Sequence, residues 1–320
     1  MRSSFPFQNR FTDFFLAIYD TGSVQAASQR LGVSQPAVSV GLKQLEEHLG
    51  TPVFTRSSTG MVPTQAGQIF HRHASYCRQT AQYAEQEIAA LTSGVTGHMR
   101  IGVGVAWAAT FIPDVVFELH KAFPALHLNV VSGVAGQLTD MLYDGDLDIV
   151  LSASPAQPIE SEFFVSQLIA TVEMIAVARA EHALFEKPEV TLSDLVKQNW
   201  VSFADDTAFE QTASGFMASH GLPSPTSLIR TNSPNVLTEF TRRADTVSVI
   251  AEPLLQRARA SGLKQLRLQS PLWTIPINIQ CARTALDLAP YQLFLKIVKT
   301  GLHGHIRGHN TARVRPKSGA

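Results

Sequence analysis

Residues Gly22 to Gly67 constrain this chain more than any other stretch, because they read as two short helices, a turn between them and a small hairpin behind. Val24 to Leu31 and Gln35 onward both carry apolar residues at helical spacing. Ser23 and Ser34 stand just before these runs, where a hydroxyl can cap the first free N–H groups of a helix. Gly32 falls between the runs, where a tight turn needs a residue tolerant of positive φ. Pro36 lies in the first turn of the second helix, where its missing N–H costs nothing. Ala26 and Ala27 are small enough for two short helices to cross closely. Such a pair has one common use, in which the second helix enters the major groove of DNA while the first braces it.

The segment Phe11 to Gly67 resembles the N-terminal domain of LysR-type transcriptional regulators. The matching residues are Phe14, Gly22-Ser23, Ala26-Ala27, Leu31, Ser34-Gln35-Pro36-Ala37-Val38-Ser39, Leu45-Glu46, Leu49-Gly50, Phe54, Arg56, Thr64 and Ala66-Gly67. Matches at so many fixed spacings are far more specific than a lone short motif. A weaker resemblance continues to about Gly301.

The remaining pattern supports a second, different unit. A helical stripe covers Phe7 to Asp20, helices are expected at about 24–31 and 35–48, and Val53-Phe54 and Met61-Val62 fit the strands of a wing. A long Pro-free run extends from Thr64 to Leu91, and its aromatics and alanines suit either a helix-to-helix dimer seam or packing on its own head. Beyond Gly97 strands and helices alternate: a strand at 99–105, a helix at about 110–121, a strand at 126–131, a helix at 136–144 and a strand at 147–151. That alternation argues a parallel α/β sheet. The resemblance implies two α/β lobes with a ligand cleft between them, like a periplasmic binding protein. The expected plan is therefore α plus α/β: a winged helix-turn-helix at 1–66, a linker and dimerisation helix at 67–96, and an effector-binding domain at 97–301. Its first lobe would take 97–168 and 272–301, its second 169–271. A basic tail at 302–320 carries His303, His305, Arg307, His309, Arg313, Arg315 and Lys317 without an acid, and its glycines and Pro316 argue that it is unfolded. Such a tail suits contact with DNA or a metal, or no specific role.

Charge does not carry the DNA reading. Lys plus Arg and Asp plus Glu both total 26. Residues 1–66 hold five bases (Arg2, Arg10, Arg30, Lys43, Arg56) against four acids (Asp13, Asp20, Glu46, Glu47). Phosphate contacts normally supply much of the affinity for DNA, so a weakly basic head implies a dimer or higher oligomer in which modest contacts add. Two distant cysteines, Cys77 and Cys281, without metal-ligand spacing read as reduced thiols. With no apolar run long enough to span a membrane and no apolar core in Met1–Arg10 like that of a signal peptide, a cytoplasmic address is expected.

On the second helix Gln35 and Ser39 lie four apart on one face. Gln pairs bidentately with adenine, Ser accommodates most base edges, and Pro36 and Ala37 offer apolar surface to a thymine methyl. Lys43 suits a phosphate and Arg56 a phosphate or the minor groove, against a plain surface role for both. Ser34 and Thr64 join this DNA-facing set through the resemblance. Val40 and Gly41 depart from the family pattern, where larger polar residues are common; the backbone either approaches DNA at Gly41 or specificity leans on fewer side chains.

The resemblance places the effector at helix N-termini and strand ends between the lobes, where free N–H groups and helix dipoles attract an anion. The corresponding positions are Ala106 and Ala135, both without the hydroxyl that many relatives carry. Trp107, Phe203 and Phe209 lie in segments able to face the same cleft, although Trp107 would equally suit the core. Either a less polar, aromatic effector follows, or one held mainly by backbone N–H groups. Ser202, Asp205, Thr207 and Ser233 are further rim candidates; Ser233 also suits a helix cap.

An enzyme is the rival class. Gly102-Val103-Gly104 after a strand begins a dinucleotide-binding turn, but Trp107 occupies the third glycine position. No phosphate loop, nucleophile elbow or metal helix is apparent, so no catalytic residue, metal or organic cofactor is expected. The reading is a regulator that binds promoter DNA and a small effector, dimerises through the linker helix and pairs into tetramers. The alternative is a cytosolic ligand-binding protein or enzyme with a non-functional head.

Overall fold

The computed structural model describes residues 10–58, 60–93, 97–153, 163–204, 207–231 and 233–310, with the side chains of 92–93, 207–208 and 302–310 left aside. The chain divides into two compact units. The first holds the helix-turn-helix, the wing and the long helix; the second takes the remainder of the chain, except Tyr143–Asp146, which group with the first.

Phe14, Phe15 and Ile18 recur at helical spacing and bury one face of α1 (Arg10–Thr21). Ser23 opens α2 (Val24–Leu31), its hydroxyl accepting from the Ala26 N–H at 3.1 Å. Gly32 closes the helix at φ 64°, a left-handed conformation that needs its missing Cβ. α3 (Gln35–Leu49) behaves differently at its start: Ser34 is the cap residue, but its hydroxyl makes no capping bond. Its backbone carbonyl accepts instead from Ala37 and Val38. The expectation of two hydroxyl caps thus holds for Ser23 and fails for Ser34.

Val38, Gly41, Leu42 and Leu45 face inward from α3. A Cβ on Gly41 would lie 2.3 Å from the Phe14 ring. Gly41 is therefore the point where α3 crosses α1, and a close backbone approach to DNA is not the reason for this glycine: it faces the core of the head, away from the exposed face of α3.

β1 (Phe54–Ser57) pairs antiparallel with β2 (Gly60–Pro63), a hairpin slightly longer than expected, whose tip residue Thr59 lies outside the described residues. The hairpin is tied down at three points. Met61 donates its N–H to the Gly22 carbonyl at 2.8 Å, the Glu46 carboxylate accepts from the Val53 N–H at 2.9 Å, and Thr64 donates its N–H to the Val53 carbonyl at 3.0 Å. α4 (Gln65–Ser93) then runs without interruption. Phe15 gathers this unit's core, with ring centroids 5.0 Å from Phe54 and 4.9 Å from Phe70.

The second unit begins with β3 (Gly97–Gly104), α5 (Val105–Thr110) and α6 (Ile112–Ala122). One helix was expected at about 110–121; the break at Phe111 follows from Pro113, in the first turn of α6, which cannot donate back to Ala109. The chain continues through β4 (Leu126–Gly133), α7 (Ala135–Tyr143), β5 (Ile149–Ala153) and β6 (Phe164–Arg179). Then come α8 (Leu192–Val196), β7 (Asn199–Phe203), α9 (Thr207–Ser219), β8 (Thr226–Thr231), α10 (Pro234–Arg243) and β9 (Val247–Ala251). α11 (Leu255–Ala260), β10 (Leu263–Gln265), β11 (Thr274–Ala282) and α12 (Ala289–Asn310) complete it.

These strands form one sheet in the order β4-β3-β5-β11-β6-β9-β7-β8, with β10 paired on β6. β3 runs parallel to both β4 and β5, and β7 runs parallel to both β8 and β9, giving each lobe a parallel core. The long antiparallel pair β6–β11 joins them: Ile277–Cys281 of β11 pair with β5, while Met174–Ala178 of β6 pair with β9. Lobe one packs Ile101, Val115, Leu119, Leu138 and Ile149 at full burial. Lobe two packs around Trp200, whose indole N–H donates to the Leu195 carbonyl at 3.0 Å.

α12 is helical beyond Gly301, which corrects the expected unfolded start of the tail at 302. Single glycines cost a helix only about 1 kcal/mol each, and Gly301 packs so closely on Phe111 that an added Cβ would lie 2.5 Å from its ring. Residues 311–320, with Arg313, Arg315, Pro316 and Lys317, lie outside the described residues. Among the described residues no helix is long and apolar enough to cross a membrane.

Candidate functional site

The buried positions of α3 leave its opposite face in solvent. Gln35, Pro36, Ser39, Val40 and Lys43 are all exposed there, preceded by exposed Ser34. The sequence-derived set on this helix therefore shares one accessible surface, and Ser34 contributes a hydroxyl that the helix does not use as a cap. Lys43 Nζ is 3.7 Å from Glu47 Oε1, one turn on. Arg30 pairs with Asp20 at 3.0 Å, and Arg10 lies over the Phe14 ring. Arg56 is exposed on β1 of the wing. Thr64 is differently employed: its hydroxyl donates to the Pro52 carbonyl at 2.8 Å and accepts from the Gly67 N–H at 3.1 Å, so it caps α4 and anchors the wing.

In the second unit a cavity of about 100 Å³ lies between the lobes. Lobe one contributes the ends of β3, β4 and β5 and the starts of α5 and α7, including Ala106, Trp107, Ala135 and Ser152. Lobe two contributes Phe203, Phe209, Ile250 and Leu254, and the β6–β11 pair supplies Met174 and Ile277. Five of the sequence-derived residues, Ala106, Trp107, Ala135, Phe203 and Phe209, meet at this one cavity. Trp107 satisfies both of its readings, being buried and lining the cavity. The lining is largely apolar, as alanines at the two helix starts lead one to expect.

The other rim candidates have other duties. Ser202 is buried, its hydroxyl 2.9 Å from Ser227 Oγ, and does not line the cavity. Ser233 caps α10, accepting from the Val236 N–H at 3.4 Å. Thr207 begins α9, with its side chain outside the described set, and Asp205 lies outside the described residues.

Sequence reading missed Ser152, Ile250, Leu254 and Arg257. Ser152 and Ile250 stand near C-terminal strand ends, where ligands of parallel sheets bind; β5 runs on to Ala153, past the expected end at 151, and takes in Ser152. Arg257 had no local signal. From α11 its guanidinium donates at 2.8 Å to the Ala109 carbonyl in α5, the acceptor left over by Pro113. That bond runs from lobe two to lobe one beside the cavity. It also borders a second pocket of about 420 Å³ that shares Phe203 and Leu254 with the first.

Neither thiol suits nucleophilic chemistry. Burial in β11 pushes Cys281 up to about 12, and burial also raises Cys77 above the usual thiol range.

A winged helix-turn-helix followed by a two-lobed ligand-binding fold defines a ligand-responsive DNA-binding protein. The model described as "Bacterial regulatory helix-turn-helix protein, lysR family" matches residues 11–68, and that described as "LysR substrate binding domain" matches residues 92–302. The chain belongs to the LysR family of transcriptional regulators, with a DNA-binding helix-turn-helix and an effector-binding domain. The regulator GbpR of Azospirillum brasilense is 28% identical to it over 79% of this chain and 74% of its own length. Full-length OxyR from Pseudomonas aeruginosa has the same fold, with a TM-score of 0.67 at 17% identity over 93% of this chain and 96% of its own. Full-length LysG from Corynebacterium glutamicum, solved with its effector arginine bound, matches at a TM-score of 0.64 and 20% identity, covering 92% of this chain and 97% of its own.

Proposed function

We propose that this regulator reads promoter DNA with the exposed face of α3 and senses a small, weakly polar effector in the cavity between its lobes. One observation carries the DNA half. Gln35 and Ser39 stand together in solvent while the inward face of α3 is fully occupied by the core of the head. Gln35 and Ser39 contact base edges, with Ser34 and Pro36 beside them at the helix start. Lys43 and Arg56 meet phosphates; Arg56 is the better placed, since Lys43 is shared with Glu47. Thr64 acts on DNA indirectly, by holding the wing. Exposed Ile69, Ile88 and Leu91 on α4, the last two 66% and 85% accessible, support dimerisation through that helix. Pairing of dimers into tetramers, a cytoplasmic location, no bound cofactor and no catalysis complete this reading.

The effector half rests on the apolar lining around Trp107, Phe203 and Phe209. Ligand pockets commonly exceed about 300 Å³, so an aromatic effector needs the lobes to part beyond the present cavity. By linkage, it controls DNA binding only through the difference in its affinity for the two lobe arrangements.

The test is selection of genomic fragments by the purified protein at physiological salt, beside Gln35→Ala and Ser39→Ala. Each substitution is expected to weaken the selected site by about 1–3 kcal/mol and to flatten discrimination between sites. Unchanged sequence preference in both variants would remove α3 from base reading. For the cavity, Ala106→Glu places a carboxylate against apolar walls, where burial of an unpaired charge is costly. It is expected to abolish effector response while operator binding in the absence of effector stays within about two-fold of wild type. A normal response would move the effector site elsewhere.

A further inference from the structure

Val40 is 55% exposed on α3, the single large apolar side chain on that helix among the exposed hydrophobics. Folding does not account for it. The inward side of α3 is complete with Val38, Leu42 and Leu45, and with Gly41 against Phe14. A β-branched residue also loses rotamer freedom in a helix, so an exposed valine there is worse than most polar residues.

Its neighbours indicate its use. Val40 lies four residues after Pro36, in the same row along the helix, so the two form an apolar strip. The adjacent row is Gln35, Ser39 and Lys43, all exposed. On the floor of the major groove the apolar group is the thymine 5-methyl, and apolar side chains recognise thymine through it. The rotamer restriction that counts against valine in a free helix favours it here, because little side-chain freedom remains to be lost on docking.

We infer that Val40 is a specificity-determining residue that reads the 5-methyl group of one thymine in each half-site, beside the bases met by Gln35 and Ser39. This rests on α3 being the reading helix. It gives the regulator a base contact without a hydrogen bond, at a position where this chain lacks a larger polar side chain.

The test uses the full-length protein and the DNA site it selects. Each thymine of a half-site is replaced in turn by deoxyuridine, which pairs identically but lacks the methyl. Wild type is expected to lose about four-fold in affinity at one thymine, the equivalent of about 0.8 kcal/mol for one buried methyl-sized group. Val40→Ala, at an exposed position, is expected to fold normally and to bind the thymine site several-fold more weakly. It should be indifferent to deoxyuridine at that thymine while keeping wild-type preferences at other positions. A variant still penalised there as wild type is, or a wild type indifferent to every replacement, overturns the role of Val40 and leaves Gln35 and Ser39 as readers. Failure to enrich any motif overturns the α3 reading and this inference with it. An unaltered affinity for DNA combined with loss of a protein contact would place Val40 in a protein interface and also overturn it.

Discussion

Arg100→Ala is expected to destabilise the second unit by about 3–5 kcal/mol, the range for stranding one member of a buried ion pair. Asp148 is 1% exposed, immediately before β5. Its carboxylate accepts from the Arg100 backbone N–H at 2.6 Å, from Nε at 3.1 Å and from Nη2 at 2.5 Å. The Asp148 N–H returns a bond to the Arg100 carbonyl at 2.8 Å. Truncating the arginine leaves a buried negative charge without its guanidinium. Asp148→Ala removes the charge itself, and the Arg100 side chain, 27% exposed, can turn toward solvent. Its cost should therefore be smaller, about 2–3 kcal/mol for lost hydrogen bonds to a charged group. Thermal unfolding followed by circular dichroism gives the comparison, with the Arg100→Ala midpoint expected about 6–20 °C below wild type for a unit of this size. Equal costs, or a larger cost for Asp148→Ala, would mean that the pair is not held by burial of the carboxylate. The consequence reaches the cleft, because β3 and β5, which this pair locks together, end at Gly104 and Ala153 in its wall.

The features legible in the sequence were those that local rules write. Ser23, Gly32 and Pro36 each occupy the backbone position their chemistry predicts, because caps and turns are settled within a few residues. Alternation of strands and helices made the sheet readable, and the family resemblance, not a local rule, pointed to Ala106 and Ala135, which line the cavity with Trp107 and Phe203. The errors fall where a distant group decides. Gly41 looked like a weak point in a DNA-facing helix, yet its reason is the ring of Phe14, 27 positions earlier in the sequence. The hydroxyl of Thr64, placed among the DNA-facing residues by resemblance, is committed to Pro52 and Gly67. Arg257 was invisible because its partner carbonyl, Ala109, lies in the other lobe. α12 continues through Gly301, where close packing on Phe111 outweighs a small propensity penalty.

Gly67→Ala is expected to be a severely damaging single-methyl change in the head, costing about 3 kcal/mol or more. The added Cβ would lie 2.1 Å from the Val53 carbonyl oxygen, so the obstacle is backbone. That carbonyl cannot move aside cheaply: it accepts from the Thr64 N–H at 3.0 Å, and the Val53 N–H is held by Glu46 at 2.9 Å. Val53 itself is fully buried. Alanine would contribute only about 1 kcal/mol of helix propensity in return, against overpacking costs that reach about 3 kcal/mol and sometimes exceed it. Relief requires α4 to separate from the base of the wing, so the wing and Arg56 should lose their position along with stability. Two other glycines grade the argument. Gly41→Ala meets the Phe14 and Phe11 rings instead of backbone, and side chains yield more readily than a hydrogen-bonded carbonyl, so its cost should be smaller, about 1–2 kcal/mol. Gly136→Ala in α7 meets nothing within 4 Å and should be neutral or stabilising by up to about 1 kcal/mol. Urea titration of the three variants checks the order, with operator affinity measured alongside. If Gly67→Ala unfolded at the same urea concentration as Gly41→Ala, the wing base would have to be yielding enough to accept a methyl. The wing would then owe its placement to the hairpin alone and not to the close approach of α4.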